Sequence, residues 1–177
     1  MMLIAMAGLP GTGKSTLAAR IAEWIGGVVL NKDVVRAELF PVVEYTREQD
    51  DAAVAWMYEE ASRRIAEQPV IIDGRTFSKA YQVRDLFEAA ARMGVEPRII
   101  ECVASDDAVK RRLERDMADG SHPAKNRTFE MYQEVKRLAE PLMMPRLTLD
   151  TGILPLDECV GRAIPFFRGI SPPDAAP

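Results

Sequence analysis

Gly8-Leu-Pro-Gly-Thr-Gly13-Lys14-Ser15 satisfies the pattern G-x-x-x-x-G-K-[ST] at every fixed position. Each residue type answers a need of polyphosphate binding. Glycines let consecutive backbone N–H groups curl around an anion without a Cβ clash. Lys14 brings a cation to the β and γ phosphates, and the Ser15 hydroxyl can ligate Mg²⁺. The expected nucleotide contacts are therefore Gly8, Gly11, Thr12, Gly13, Lys14, Ser15 and Thr16. Context agrees with the motif. A short apolar run, Leu3 to Ala7, precedes it, and a helical stretch from Lys14 to Trp24 follows, with its positive end aimed at the bound anion. The implied ligands are ATP and Mg²⁺.

Two carboxylates, one followed closely by an arginine, stand at comparable strand ends. Asp33 lies 19 residues past Lys14, just after the strand candidate Val28-Val29-Leu30. In a doubly wound sheet that strand end opens on the same crevice as the phosphate loop. A carboxylate there can accept the proton of an attacking hydroxyl, or orient it. Arg36 is three residues on and shares its helix face. The competing reading makes Asp33 the N-cap of a helix starting at Val34 and Arg36 a solvated charge. Val70-Ile-Ile-Asp73 is an apolar strand ending in aspartate, the expected form of a carboxylate that holds Mg²⁺ through water; a turn aspartate before Gly74 is the alternative.

The elements that must position these residues alternate along the chain. After the first helix, Gly26-Gly27 breaks the pattern, and a short helix runs from about Val34 to Phe40. Thr46 and Gln49 form a capping box for a long helix to about Glu67. Val70 to Ile72 is a buried-type strand. A helix capped by Ser78 and closed by Gly94 follows, then a strand from Val95 to Val103. Ser105 starts a helix bearing Val109, Leu113 and Met117. A polar loop spans 118–127, and a helix runs from Thr128 to about Ala139. A last strand, Arg146 to Leu149, precedes a helix over 155–167. The order predicts an α/β fold: a five-stranded parallel sheet with helices on both faces. Trp24, Trp56, Met143 and Met144 are expected to serve packing.

Composition bounds the rest. The 177 residues suit a single domain, here residues 1–168, with the Pro- and Ala-rich end at 169–177 a tail. A net charge of −4 and a pI near 5.2 argue against gripping long nucleic acid by counterion release. Cys102 and Cys159 form no metal-ligand spacing, and His122 is the single histidine. No apolar stretch is long enough to span a membrane and the start lacks signal-peptide features, so a cytoplasmic protein is expected. No base-reading N-K-x-D occurs, which disfavours a GTPase.

The chain resembles the small P-loop kinases of the polynucleotide 5′-hydroxyl kinase, zeta-toxin and chloramphenicol phosphotransferase-like group. The resemblance rests on Gly8 to Thr16, on Asn31-Lys-Asp33-Val-Val-Arg36, on Val70 to Phe77 and on Arg112-Leu113-x-x-Arg115, and it spans roughly residues 1–150. It implies a P-loop NTPase fold with a helical lid at about 112–128. Asp33 would be the general base and Arg36 an acceptor contact. Asp73 would serve either metal or acceptor, and Gly74-Arg75-Thr76-Phe77 would line the acceptor pocket. Arg115, then Arg112, would stabilise the transition state from the lid, with Lys125 and Arg127 behind them. Asp150-Thr151-Gly152 would meet the adenine. The implied activity is ATP-dependent phosphorylation of a hydroxyl on a small molecule, nucleoside or nucleotide. A polynucleotide 5′-hydroxyl kinase, and a regulatory ATP-binding module with slow hydrolysis, remain as alternatives.

Overall fold

The computed structural model describes residues 1–120, 124 and 127–167. His122, Lys125 and the tail 169–177 lie outside the described residues. The elements in chain order are β1 (Leu3–Ala7), α1 (Lys14–Ile25), β2 (Val28–Asn31), α2 (Lys32–Leu39), α3 (Arg47–Arg64), β3 (Val70–Asp73), α4 (Ala80–Met93), β4 (Pro97–Val103), α5 (Asp106–Asp119), α6 (Phe129–Arg137), β5 (Leu147–Asp150) and α7 (Leu156–Phe167).

The strands pair in the order β2-β3-β1-β4-β5, parallel throughout, so the expected five-stranded parallel sheet is present. β1 is buried along its whole length, and its side chains divide by the two-residue period of a strand. Leu3, Ala5 and Ala7 join Val70 and Ile72 under α3 and α4. Ile4 and Met6 join Ile71, Leu17 and Ile21 under α1 and α7. Burial on both faces explains why the strands read as continuous apolar runs rather than alternating ones.

Several helix ends differ from expectation for local reasons. α2 starts at Lys32, because the Asn31 side chain accepts from the Asp33 and Val34 amides at 2.9 and 3.2 Å. Asn31 is therefore the N-cap, and the Asp33 carboxylate is left for other work. At α3, Thr46 caps as expected, accepting from the Gln49 amide. The Gln49 side chain does not return to Thr46, however. It bridges backwards to the Glu44 amide and the Val42 carbonyl, both at 2.9 Å. At α4 the Ser78 cap is replaced by a distant one: Lys79 holds the cap position, and Glu140 accepts from the Ala80 amide at 2.7 Å. Two of the residues expected to pack do not. Trp24 is 59% exposed and Met143 84% exposed. Among the described residues no helix is long and apolar enough to cross a membrane.

Candidate functional site

β1 delivers the phosphate loop at the centre of the sheet. Gly8 has φ 126°, and a Cβ there would lie 2.2 Å from the Cys102 carbonyl oxygen, so the close approach to β4 requires glycine. The Gly8 amide donates to the Thr76 carbonyl at 3.0 Å, fixing the loop to the segment after β3. Gly13 (φ 82°) turns the chain into α1, whose first-turn amides have no partners within the helix. The Leu9 carbonyl accepts from both Lys14 Nζ and Thr12 Oγ1, each at 2.8 Å. Lys14 is almost fully buried, and burial pushes its ammonium down to about 8, against the opposing pull of Asp73.

Gly11, Gly13, Lys14, Ser15 and Thr16 line a cavity of about 540 Å³, together with Arg112, Arg115, Arg127 and Thr151. Gly8 and Thr12 stand on the reverse side of the loop, against a separate cavity of about 270 Å³. The large cavity has amide donors at a helix N-terminus, one lysine and three arginines. That chemistry suits a polyphosphate.

The three arginines are placed differently. Arg112 donates to Thr151 Oγ1 at 2.9 Å, to the Thr151 carbonyl at 2.7 Å and to the Gly11 carbonyl at 3.3 Å. Thr151 Oγ1 in turn donates to the Thr12 carbonyl at 2.8 Å. Arg112 is thus a clamp between the phosphate loop and the end of β5. Arg115 is exposed at the cavity rim and makes no ion pair among the described residues. Arg127 lies deeper. It lines both this cavity and a second one beside it, 3.8 Å from Asp116. Burial pulls its guanidinium below the ordinary arginine value, opposed by Asp116, Asp33 and Asp73 in that order. Of the Asp150-Thr151-Gly152 segment, Thr151 alone lines the cavity.

The second cavity, about 370 Å³, shares Lys14, Ser15 and Arg127 with the first. Its floor is a charge cluster. Arg36 is 2% exposed; it donates to Asp33 at 2.7 Å and pairs with Asp50 of α3. Lys32 donates to the other Asp50 oxygen at 2.9 Å. Burial pushes Lys32 down to about 8, with Asp33 opposing. The Arg36 guanidinium also lies over the Tyr45 ring, 5.3 Å from its centroid, and Tyr45 holds a left-handed φ of 56°. The structure therefore brings Asp33 and Arg36 together as the sequence implied. It adds Lys32 and Asp50, which the sequence reading did not select. Lys32 sits inside the motif already quoted, whereas Asp50 reads as an ordinary acid in the first turn of a helix.

Asp73 ends β3 beside both β2 and β1. It is fully buried. Its Oδ2 accepts from Asn31 Nδ2 at 2.6 Å, while Oδ1 has no hydrogen-bond partner among the described residues. The orphaned Asp73 oxygen and the exposed Ser15 hydroxyl are both hard oxygen donors of the kind Mg²⁺ takes, with water completing its shell. Arg75 corrects an expectation. Gly74 takes φ 86° where it passes Lys32, and the chain turns Arg75 away from the acceptor side. Its guanidinium donates to Tyr58 at 3.2 Å and to Asp85 at 3.1 Å, joining α3 to α4. Gly74 and Thr76 line the second cavity; Arg75 and the buried Phe77 do not.

With this geometry in hand, a family model described as an AAA domain matches residues 3–146. The chain belongs to that family. No curated protein matches the sequence. Solved structures match the AAA domain across nearly its full length. A protein from Chloroflexus aurantiacus, provisionally described as a kinase, is 23% identical, with TM-score 0.73, covering 92% of this chain and 96% of its own. A gluconokinase from Sinorhizobium meliloti is 18% identical, with TM-score 0.67, covering 96% and 91%. The APS kinase of Mycobacterium tuberculosis, in complex with AMPPNP and APS, is 16% identical, with TM-score 0.71, covering 94% and 97%. At these identities the likeness establishes the fold. The domain is thus an α/β P-loop fold of the kind these proteins share. None of the three belongs to the polynucleotide 5′-hydroxyl kinase, zeta-toxin or chloramphenicol phosphotransferase-like group by name.

Proposed function

We infer that the chain is an ATP-dependent phosphotransferase that moves the γ-phosphoryl group onto a hydroxyl of a small molecule or a nucleoside or nucleotide. One observation carries this reading: two cavities meet at Lys14, Ser15 and Arg127, and Asp33 lines the second. The polyphosphate would occupy the first, against the first-turn amides of α1. The acceptor hydroxyl would enter from the second. Its oxygen attacks the γ-phosphorus as the bond to the bridging β,γ-oxygen breaks, ADP leaves, and the hydroxyl proton passes to Asp33. Lys14 and Arg127 stand where charge grows on the transferring group. Ser15 and Asp73 would hold Mg²⁺, which when bound neutralises the β and γ oxygens.

Asp33 fits the base role because Asn31 relieves it of helix capping, while Arg36 orients it. A regulatory module with slow hydrolysis would need no second cavity. The cavity's modest volume favours a small acceptor over a polynucleotide end, and the small-molecule kinases among the structural neighbours support the same choice. The cytoplasm, where ATP is abundant, is the proposed setting. The test is Asp33→Ala with radiolabelled ATP and a panel of hydroxyl acceptors. Transfer falls by about 10²-fold or more while nucleotide affinity is kept. Unchanged turnover rejects Asp33 as the base.

A further inference from the structure

The charges of the second cavity can be assigned one by one. Lys14 and Arg127 also line the nucleotide cavity, where the polyphosphate of the kinase reading would engage them. Lys79 is neutralised by Glu140 at 3.2 Å and donates to the Leu138 carbonyl at 2.6 Å. What remains is Lys32, Arg36, Asp33 and Asp50, two cations and two carboxylates joined to one another. The floor is therefore strongly polar yet balanced in charge. Part of the remaining lining is apolar. Met131, Val135 and Leu138, at i, i+4 and i+7 along α6 and its C-cap, present one face to the cavity.

We propose that the acceptor is an uncharged, polyhydroxylated compound of about monosaccharide size, its hydroxyls on the Lys32–Asp50–Arg36–Asp33 floor and its C–H face on α6. The proposal rests on the kinase reading above. An anionic group would meet Asp33 and Asp50 with no surplus cation to receive it, and an ammonium group would meet Lys32 and Arg36 in the same way. A hydroxyl both donates and accepts, so it can pair with either sign. Thr76 and Gln82 add neutral hydrogen-bonding groups at the cavity edge. A volume of about 370 Å³ lies at the small end of ligand sites.

The experiment uses the full chain with Mg-ATP and matched acceptors: glucose, gluconate and glucosamine; glycerol and glycerate; and a 5′-hydroxyl oligonucleotide. Label transfer and ADP release are both read. At least one neutral member is expected to exceed its charged counterparts in kcat/KM by about tenfold or more. Preference for an acid, the amine or the oligonucleotide overturns the proposal and leaves the kinase reading standing. Label released only as phosphate, at a rate indifferent to every acceptor, overturns the kinase reading and the proposal with it. Two variants test the charge balance directly. Asp50→Asn leaves a surplus cation and should lower the neutral-to-acid ratio about tenfold; Lys32→Met leaves a surplus carboxylate and should lower the neutral-to-amine ratio similarly. Each is checked for folding by circular dichroism, and one folded variant suffices. An unchanged ratio in a folded variant overturns the proposal.

Discussion

Binding a polyphosphate should draw a proton onto Lys14, and the amount follows from burial. The ammonium is almost fully enclosed, hydrogen-bonded to a neutral carbonyl, and held down to about 8. At pH 8.5 about three-quarters of the empty protein therefore carries a neutral Lys14, and at pH 7 only about one-tenth. A triphosphate beside it restores the charged form. Calorimetric titration with a nonhydrolysable ATP analogue, in buffers of different ionisation enthalpy, should report uptake of about 0.7 proton at pH 8.5 and about 0.1 at pH 7. Affinity should fall with pH by the matching slope. Lys14→Met should abolish the uptake.

The same group makes the empty fold pH-dependent. A lysine whose folded value lies below its ordinary 10.5 carries its full penalty below pH 8, where it is charged in both states. Between pH 8 and 10.5 the unfolded chain holds a proton that the folded chain has released, so stability rises with pH in that window. The penalty amounts to about 3 kcal/mol for a group this enclosed. After loss of the Leu9 hydrogen bond, worth about 1 kcal/mol, Lys14→Met should be more stable than wild type at pH 7 by about 2 kcal/mol in urea titration. Equal proton uptake at both pH values, or a less stable variant, would refute the argument that burial governs this lysine.

Three further outcomes follow from the arginines and the loop. Arg127→Met should cut kcat by about 10²-fold with little change in nucleotide affinity, whereas Arg115→Met, at the exposed rim, should cost about tenfold or less; single-turnover kinetics separates the two. Arg112→Lys removes the fork that joins Thr151 to Gly11, so it should weaken nucleotide binding several-fold and lower stability by about 1–2 kcal/mol in thermal melts. Gly8→Ala drives a Cβ into the Cys102 carbonyl and should destabilise by about 3 kcal/mol or more; a near-neutral melt would show that β4 yields there.

The sheet and the phosphate loop were legible because both are local. Short apolar runs, glycine spacing and capping residues act within a few positions of one another. The parts of the site that were missed or misplaced depend on cross-element contacts. Asp50 meets Arg36 only because α3 packs on α2, and nothing in its own helix marks it. Arg112 matches its motif by spacing, yet its donors are held by Thr151, 39 residues away in sequence. Arg127 exceeds Arg115 in burial, which helix periodicity does not report. Arg75 was placed by proximity to Asp73, and the left-handed turn at Gly74 redirected it. Trp24 shows the converse error, since an aromatic at helical spacing need not be covered.

The strand order gives the molecule a division of labour along its sequence. The polar floor of the second cavity comes from one continuous stretch, Lys32 to Gln82, on the β2–β3 flank of β1. Beside the phosphate loop and α1, the nucleotide cavity takes Arg112, Arg115 and Asp116 from α5, Arg127, and the chain from Thr151 to Cys159 after β5, on the opposite flank. An exchange confined to residues 32–50 would replace Lys32, Asp33, Arg36 and Asp50 while leaving the phosphate loop, Asp73 and the arginines of the nucleotide cavity in place. The fold is thereby open to diversification by grafting, with the α6 wall as the one piece that must be matched to its new partner.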